Sequence, residues 1–451
     1  MKALKTLALG ALALAAVPAF AQVPVTTIRI VASNGDRTAT QTAISNLLDD
    51  GWKYQGVGGA VSDGGTLSTA TNSNFGAWNG TYAGQPVIIK TSFSGALAGI
   101  AAVAGQINQR FVATDGTGTT AVPNPLTSSN SADYETARAD FGFSTNFQST
   151  SPFNGLFQEV TYSPVIEQIV GISPLGFYAS PGFPGSPSNP KAGYVPNITT
   201  ALARQLYETG SVRLAQFTGD WVNDRNKIVY AINRNTDAGQ RFGALLEVGF
   251  NTSSQVTAWF PTVSGVISAD GLTYGGTVTS HQLWPVAQQP GTFAVPLGSG
   301  GYSSGALLAQ NLTVALGPDA YRGKFKNEEN QDDFLFPDAE AGYYIGYLTP
   351  GDANNRVLGK DGKLPQIYRG VALRYNGVEN TTENVKNGSY TAWLYNRILK
   401  PQTGLEDIKL TFADALRDRI ATADAPSGGG LFDDETVKIQ RFTDGGLVVP
   451  K

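Results

Sequence analysis

Apolar and polar positions along the chain form a unit that recurs three times. Residues 26–33 alternate between polar and β-branched side chains, as a half-buried strand does. A polar turn follows, and apolar residues then return at the three- and four-residue spacing of a helix. The predicted strands lie at 26–33, 87–90 and 227–232, and the predicted helices at 38–48, 96–107 and 241–248. Strands that alternate with helices through polar turns predict α/β layers with largely parallel sheets.

Other stretches predict further elements between these units. A nearly continuous apolar run at 162–174 predicts a strand that is covered on both faces. Residues 197–200 offer N-caps to a helix that reaches Tyr207. The tract 57–85, rich in Gly, Ser, Thr and Asn, predicts a hairpin or loop insertion, and the similar tract 114–131 predicts a surface loop. Further helices are predicted at 303–316 and 405–421, strands at 343–348 and 365–375, and a strand-like tail at 431–449.

Composition narrows the range of functions. The 451 residues carry a net charge of −4, which provides no broad basic face for nucleic acid. The chain has no cysteine and one histidine, so disulfide frameworks, thiol nucleophiles and Cys- or His-based metal sites are excluded. A Ser-His-Asp triad would have to use His281, which lies in an ordinary turn-and-strand context. The sequence therefore offers no candidate cofactor or metal site, and its length favours two domains.

The N-terminus has the pattern of a secretory signal. Two lysines within Met1–Lys5 precede an apolar run at 7–17, and Ala19-Phe20-Ala21 fits a small-x-small cleavage site. The run is too short to span a bilayer comfortably, although an apolar helix of the folded protein is the alternative. We expect a signal peptide at 1–21, cleavage near Ala21, and a periplasmic or secreted product that does not span the membrane.

Three turns after predicted strands combine small or hydroxyl residues with the start of a helix. They lie at 34–36, 92–95 and 234–240. The first N–H groups of a helix point outward and carry partial positive charge, so such a turn can hold an anion without a lysine. Each turn alone is also what an ordinary helix N-cap looks like.

Side chains in these turns add donors for an oxyanion. Ser92 and Ser94 supply hydroxyl groups, and Arg234 supplies a planar fork that suits two oxygens of one tetrahedral anion. Asp237 could accept a proton from the ligand or orient Arg234. The alternative for Arg234 and Asp237 is a surface ion pair.

With these turns in place, the sequence resembles the periplasmic phosphate-binding proteins of ABC importers, within the type II periplasmic binding protein superfamily. The resemblance covers most of 25–400, and Asn387-Gly388-Ser389-Tyr390 is its most specific segment. The segments that carry it are 28–48, 92–97, 139–145, 164–166, 200–210, 232–239 and 384–393.

The resemblance implies two lobes, each a mixed, mostly parallel sheet flanked by helices, joined by two hinge crossings. It implies lobe I at 22–163 plus 366–425, lobe II at 164–365 and a tail at 426–451. It also implies an oxyanion such as inorganic phosphate in the cleft, delivered to a membrane permease. The implied and candidate ligand-binding residues are Asn34, Gly35, Ser92, Ser94, Gly95, Thr145, Arg234, Asp237, Gly239 and Gln240.

Two positions depart from the family pattern. Thr145 stands where the family has an Asp that accepts the proton of hydrogen phosphate, and Ala238 replaces a hydroxyl donor. Loss of the Asp would loosen discrimination between phosphate and sulfate-like ligands. Gln240 and Arg241 could restore a donor and a charge if Arg241 faces the cleft.

Two other classes of function stay open. The polar insertions, the tail and the altered positions fit a surface or matrix protein that keeps the fold but has lost transport and phosphate binding. An enzyme is the poorest reading, since the chain has one histidine, no cysteine and no paired-carboxylate signature. The acidic run at 328–333 could bind a cation, but a solvated loop explains it as well.

Overall fold

The computed structural model describes residues 24–251, 254–269, 272–285 and 298–451. The predicted signal peptide and its cleavage site lie outside the described residues. Strands in the first part of the chain are β1 (Thr26–Val31), β2 (Lys53–Gly56), β3 (Gly59–Ser62), β4 (Phe75–Tyr82), β5 (Gln85–Ser92), β6 (Gln109–Val112), β7 (Tyr134–Ala137), β8 (Phe141–Ser144), β9 (Gly155–Phe157), β10 (Val160–Tyr162), β11 (Val165–Pro174) and β12 (Gly176–Ala179). The later strands are β13 (Asn197–Ile198), β14 (Ser211–Arg213), β15 (Lys227–Ala231), β16 (Trp259–Ser264), β17 (Ile267–Ala269), β18 (Leu272–Tyr274), β19 (Thr277–Leu283), β20 (Ala315–Leu316), β21 (Lys324–Lys326), β22 (Asp332–Phe334), β23 (Ala341–Leu348), β24 (Val371–Tyr375), β25 (Trp393–Pro401), β26 (Ile439–Gln440) and β27 (Val449–Pro450). The α-helices are α1 (Arg37–Leu47), α2 (Ser68–Thr71), α3 (Ala96–Ala104), α4 (Thr200–Thr209), α5 (Ala215–Thr218), α6 (Gly239–Glu247), α7 (Gly305–Gln310), α8 (Pro318–Tyr321), α9 (Pro350–Arg356), α10 (Thr382–Lys386) and α11 (Asp407–Arg419).

Two sheets define a two-lobed α/β fold. Lobe I contains an eight-stranded sheet in the order β11-β25-β8-β1-β5-β4-β2-β3, and lobe II a six-stranded sheet in the order β13-β24-β12-β23-β15-β14. Helices α1, α3 and α11 pack on the first sheet, and α4, α7 and α9 pack on the second. Both sheets are mixed, as expected, but they are not mostly parallel. Parallel pairing joins β1 to β5 and β8, β15 to β23, and β13 to β24, whereas tight hairpins such as β4–β5 impose antiparallel pairing on their neighbours.

The chain passes between the sheets later than the predicted boundaries at 164 and 366. Strand β11 belongs to the lobe I sheet, where it pairs with β25, and β24 belongs to the lobe II sheet, where it pairs with β12. The crossings therefore lie at Leu175 and within 376–392. The tail does not form long strands, because β26 and β27 are two residues each and pair only with one another.

Strand β4 lies within the tract that the sequence predicts as a hairpin or loop insertion. The hairpin is present as β2 and β3, but β4 is an integral strand of the lobe I sheet between β2 and β5. Its Trp78 is fully buried, packs against Trp52 and Tyr54 with ring centroids 5.0 and 4.8 Å away, and donates a 2.7 Å hydrogen bond to Gln41. A Cβ atom at Gly76 would lie 2.1 Å from the Tyr54 hydroxyl, so the glycines of this tract make room for aromatic rings.

Strand β11 is an edge strand, so the prediction that both its faces and its sides are enclosed is wrong for its first half. Ile166 and Ile169 are 36% and 38% exposed, whereas the strand is buried from Val170 onward. The predicted helix at 303–316 is also shorter, since α7 covers only six residues before β20. Among the described residues, none of the helices has the length and apolar character that a membrane crossing requires.

Candidate functional site

The carboxyl ends of strands from both sheets meet at the interface between the lobes. The turns after β1, β5 and β8 come from lobe I, and the turn after β15 comes from lobe II. In α/β sheets, ligands bind beyond such strand ends. Between them is a cavity of about 10 Å³. Its lining residues are Ser33, Asn34, Gly35, Ser94, Gly95, Ala96, Arg234, Asn235, Ala238, Gly239 and Gln240.

Three helices begin at this cavity without a side-chain cap. The N-caps of α1, α3 and α6 are Asp36, Gly95 and Ala238, and none of the three accepts a hydrogen bond through its side chain. Elsewhere, α4, α7 and α10 are capped by Thr or Ser hydroxyls that accept from the first-turn N–H groups. The uncapped N-termini give the cavity a set of backbone donors and partial positive charge from both lobes.

The two lobes approach each other closely at glycines. A Cβ atom at Gly239 of lobe II would lie 1.9 Å from Thr145 Oγ1 and 2.6 Å from Ala96 Cβ, both in lobe I. A Cβ atom at Gly95 would lie 2.7 Å from the carbonyl oxygen of Asp237. Only residues without a side chain allow this separation, so the glycines set how far the lobes close.

Arg234 lines the cavity but its guanidinium group is directed toward protein acceptors. Nε donates to the Tyr302 carbonyl at 3.1 Å, one terminal nitrogen donates to the Ser303 carbonyl at 3.5 Å, and the other donates to Gln240 Oε1. Arg234 is 2% exposed, and burial lowers its pKa. The predicted fork for a ligand is thus occupied by lobe II itself in this closed arrangement.

Several buried polar atoms around the cavity have no hydrogen-bond partner within the described part of the chain. They are Asn34 Oδ1, Ser94 Oγ, Thr145 Oγ1 and Asn146 Oδ1. A buried polar atom without a partner costs on the order of 1–3 kcal/mol. Their grouping beside three helix N-termini marks the cavity as the place where the fold has polar capacity to spare.

The structure brings together most of the predicted site residues. Asn34, Gly35, Ser94, Gly95, Arg234, Gly239 and Gln240 line the cavity. Thr145 adjoins it, since its Cγ2 would lie 3.8 Å from a Cβ atom at Gly35. Ser92 does not line it, because this residue is the last of β5 and its carbonyl accepts from Ala32 N. Asp237 does not line it either, being fully buried with its backbone against Gly95.

Arg241 is not a wall of the cavity, so the suggestion that it faces the cleft is wrong. Its guanidinium group donates to the carbonyls of Arg234 and Ser299 at 2.9 and 2.7 Å. Burial lowers the pKa of Arg241 to about 10. Its contacts fasten the turn after β15 to the segment that begins at 298.

Sequence reasoning missed Asn146, Tyr302 and Ser303. Asn146 follows directly after Thr145 at the end of β8, so the strand-end argument could have included it. The carbonyls of Tyr302 and Ser303 reach Arg234 from 68 and 69 residues away, and no local pattern signals such a contact.

Two other features carry electrostatic interest. Asp36 is 2% exposed, and burial raises its pKa to about 7 against the opposing effects of Ser33 and Arg397. A larger groove of about 730 Å³ lies beside the hinge, but Lys360, Arg374 and Glu379 give it charges of both signs. It has no set of convergent donors comparable to the interlobe cavity.

Comparison with known proteins yields only structural similarity. No protein-family model matches the chain, and a search of curated proteins found no match. Three similar solved structures are an ABC-type phosphate transport receptor from Vibrio cholerae (10% identity, TM-score 0.41, 90% of this chain and 99% of that one), a putative phosphate ABC transporter substrate-binding protein with bound phosphate from Clostridium perfringens (11%, 0.39, 91% and 100%), and PstS from Borrelia burgdorferi (11%, 0.35, 90% and 98%). These proteins are of the kind that the sequence motifs resemble, but at such TM-scores they add nothing to the geometry above.

Proposed function

We propose that this chain is an extracytoplasmic solute-binding protein that holds phosphate or a related oxyanion between its two lobes. The observation that carries the proposal is the convergence of three uncapped helix N-termini, from both lobes, on one cavity with Ser94 and Arg234 in its wall. Backbone donors and an arginine together bind a tetrahedral anion well.

The volume of the cavity requires that binding be coupled to lobe movement. A space of about 10 Å³ is close to the minimum for one water, whereas a tetrahedral oxyanion has five heavy atoms. The anion would enter with the lobes apart and take the hydrogen bonds that Arg234 now gives to Tyr302 and Ser303. Closure around it would follow the hinge motion of two-domain binding proteins.

Two details bear on the ligand and its fate. Thr145 is neutral, so the site has no carboxylate at that position to reject a fully ionised anion, and sulfate-like ligands remain candidates beside phosphate. Delivery to an ABC-type permease, rather than catalysis, is the role that we propose for the bound anion.

Calorimetric titration of the mature chain from Gln22 tests the proposal. We expect heat and a raised unfolding temperature with at least one of phosphate, sulfate and a phosphate monoester. Arg234→Gln should weaken that binding by about 10- to 100-fold, because it removes charged hydrogen bonds. Arg225→Gln, at an exposed arginine, is the matched control and should bind normally. Absence of heat and of thermal stabilisation with all three anions would sink the proposal.

A structural protein of the surface or matrix is the second candidate, and the closed cavity is the observation that favours it. Arg234 already has protein acceptors for its donors, and the cleft holds little free volume. In that case the chain would bind none of the anions and would partition with the cell envelope or the secreted fraction.

A further inference from the structure

The C-terminal segment crosses the hinge after the last helix. Residues 425–445, here named the clasp, begin with Gly428–Gly430 between the starts of α1 in lobe I and α9 in lobe II. A Cβ atom at Gly428 would lie 3.7 Å from Thr38 Cβ, and one at Gly351 would lie 2.8 Å from the Gly428 carbonyl. The clasp therefore contacts both lobes at its first residues.

The clasp next attaches to the hinge strand. Leu431 exchanges two backbone hydrogen bonds of 2.8 Å with Ile172, near the end of β11. Further on, Lys438 N donates to the Lys386 carbonyl at 2.8 Å, within the second crossing between the sheets. The chain thus passes the hinge a third time, beside the two crossings at Leu175 and 376–392.

Arg441 joins the clasp to lobe II. Its guanidinium group lies 3.1 Å from Glu247 Oε2 on α6, and the two side chains are 1% and 9% exposed. It also donates to the carbonyls of Thr391 and Trp393 at 2.6 and 3.2 Å and stacks over the Trp393 ring at 4.4 Å. A charge so enclosed is held by its partners rather than by water.

Asp444 joins the clasp to lobe I. It accepts from the Phe147 backbone N–H at 2.8 Å, and a carboxylate oxygen lies 3.8 Å from a terminal nitrogen of Arg397. The side chains of Asp444 and Arg397 are 1% and 2% exposed. The next residue, Gly445, returns to lobe II, where a Cβ atom would lie 2.4 Å from the Leu246 carbonyl.

We propose that residues 425–445 act as an interlobe clasp that holds the two lobes closed, fastened by the Asp444–Arg397 and Arg441–Glu247 pairs. Opening the lobes would pull one pair against the other, because the same short segment is anchored in both. Separating either pair would leave a buried charge without its partner, and this is strongly unfavourable. The proposal concerns the lobe arrangement alone and does not depend on what the cleft binds.

Interlobe distance measurement without any added anion tests the clasp. Because the chain has no cysteine, Asp50→Cys in lobe I and Lys363→Cys in lobe II, both exposed, allow a pair of spin labels. We expect one short distance population in the labelled parent protein. Asp444→Asn and Glu247→Gln should each add a longer population that the parent lacks.

The control is Asp433→Asn, since Asp433 pairs with Lys451 inside the tail and fastens neither lobe. It should leave the distance distribution unchanged. Should Asp444→Asn fail to fold, a site-specific protease sequence inserted at the exposed turn near Asp434 allows the clasp to be cut after folding. Cutting should then release the longer population. A folded protein whose distribution is unaltered by the substitutions or by cutting would overturn the proposal.

Discussion

Individual residues decide how the lobes meet, and Gly239 is the clearest case. Gly239→Ala would place a methyl group 1.9 Å from Thr145 Oγ1 across the lobe interface. We expect the free energy of unfolding to fall by about 1–3 kcal/mol, as overpacking usually costs. Gly428→Ala is the control, because its Cβ atom would have no neighbour nearer than 3.7 Å. Equal stability of the two variants in urea titrations would contradict the close approach.

His281 provides a pH test at the residue scale. Its ring stacks on Trp259 with centroids 4.3 Å apart, Nδ1 lies 3.0 Å from the Tyr344 hydroxyl, and burial lowers its pKa from 6.5 to about 3. Because the unfolded chain then binds a proton that the folded chain does not, His281 lowers stability as the pH falls below 6.5.

Replacement of His281 should remove that loss. Relative to the parent, His281→Gln should gain about 2 kcal/mol between pH 7 and pH 5, at a slope of about 1.4 kcal/mol per pH unit. The exposed neighbour Gln282 offers a control, and Gln282→Ala should follow the parent profile. Parallel pH profiles for all three proteins would show that His281 is not shielded from protons by burial.

At the scale of elements, local periodicity predicted well what depends on neighbours in sequence. The helix predicted at 38–48 is α1 at Arg37–Leu47, and the strand predicted at 343–348 lies within β23. Thr199 caps α4 through a hydrogen bond to Leu202 N, as its type and position indicated. These elements carry their own signals in side-chain spacing.

Elements whose burial comes from distant partners were less predictable. The composition of β4 resembles that of a loop, and it becomes a sheet strand because Tyr54 and Trp52 cover its glycines and tryptophan. The apolar run of β11 gave no sign that the strand lies at a sheet edge. The same division holds in the site, where the strand-end turns followed from the sequence but the carbonyls that hold Arg234 did not.

For the whole molecule, the glycines and the clasp describe one mechanical system. Glycines at the interface allow the lobes to close until little volume remains, and the C-terminal segment crosses the hinge in a way that resists reopening. If an oxyanion is the ligand, its binding energy must offset the loss of the contacts that Arg234 makes with lobe II.

The most direct test of the central claim is a crystal structure of the mature protein grown with phosphate, and in parallel with sulfate. The convergence of α1, α3 and α6 predicts tetrahedral density between Ser94 and Arg234, with the Arg234 guanidinium turned from the Tyr302 carbonyl to the anion. Closed lobes with no density at that place, at anion concentrations that saturate any binding seen by calorimetry, would contradict it.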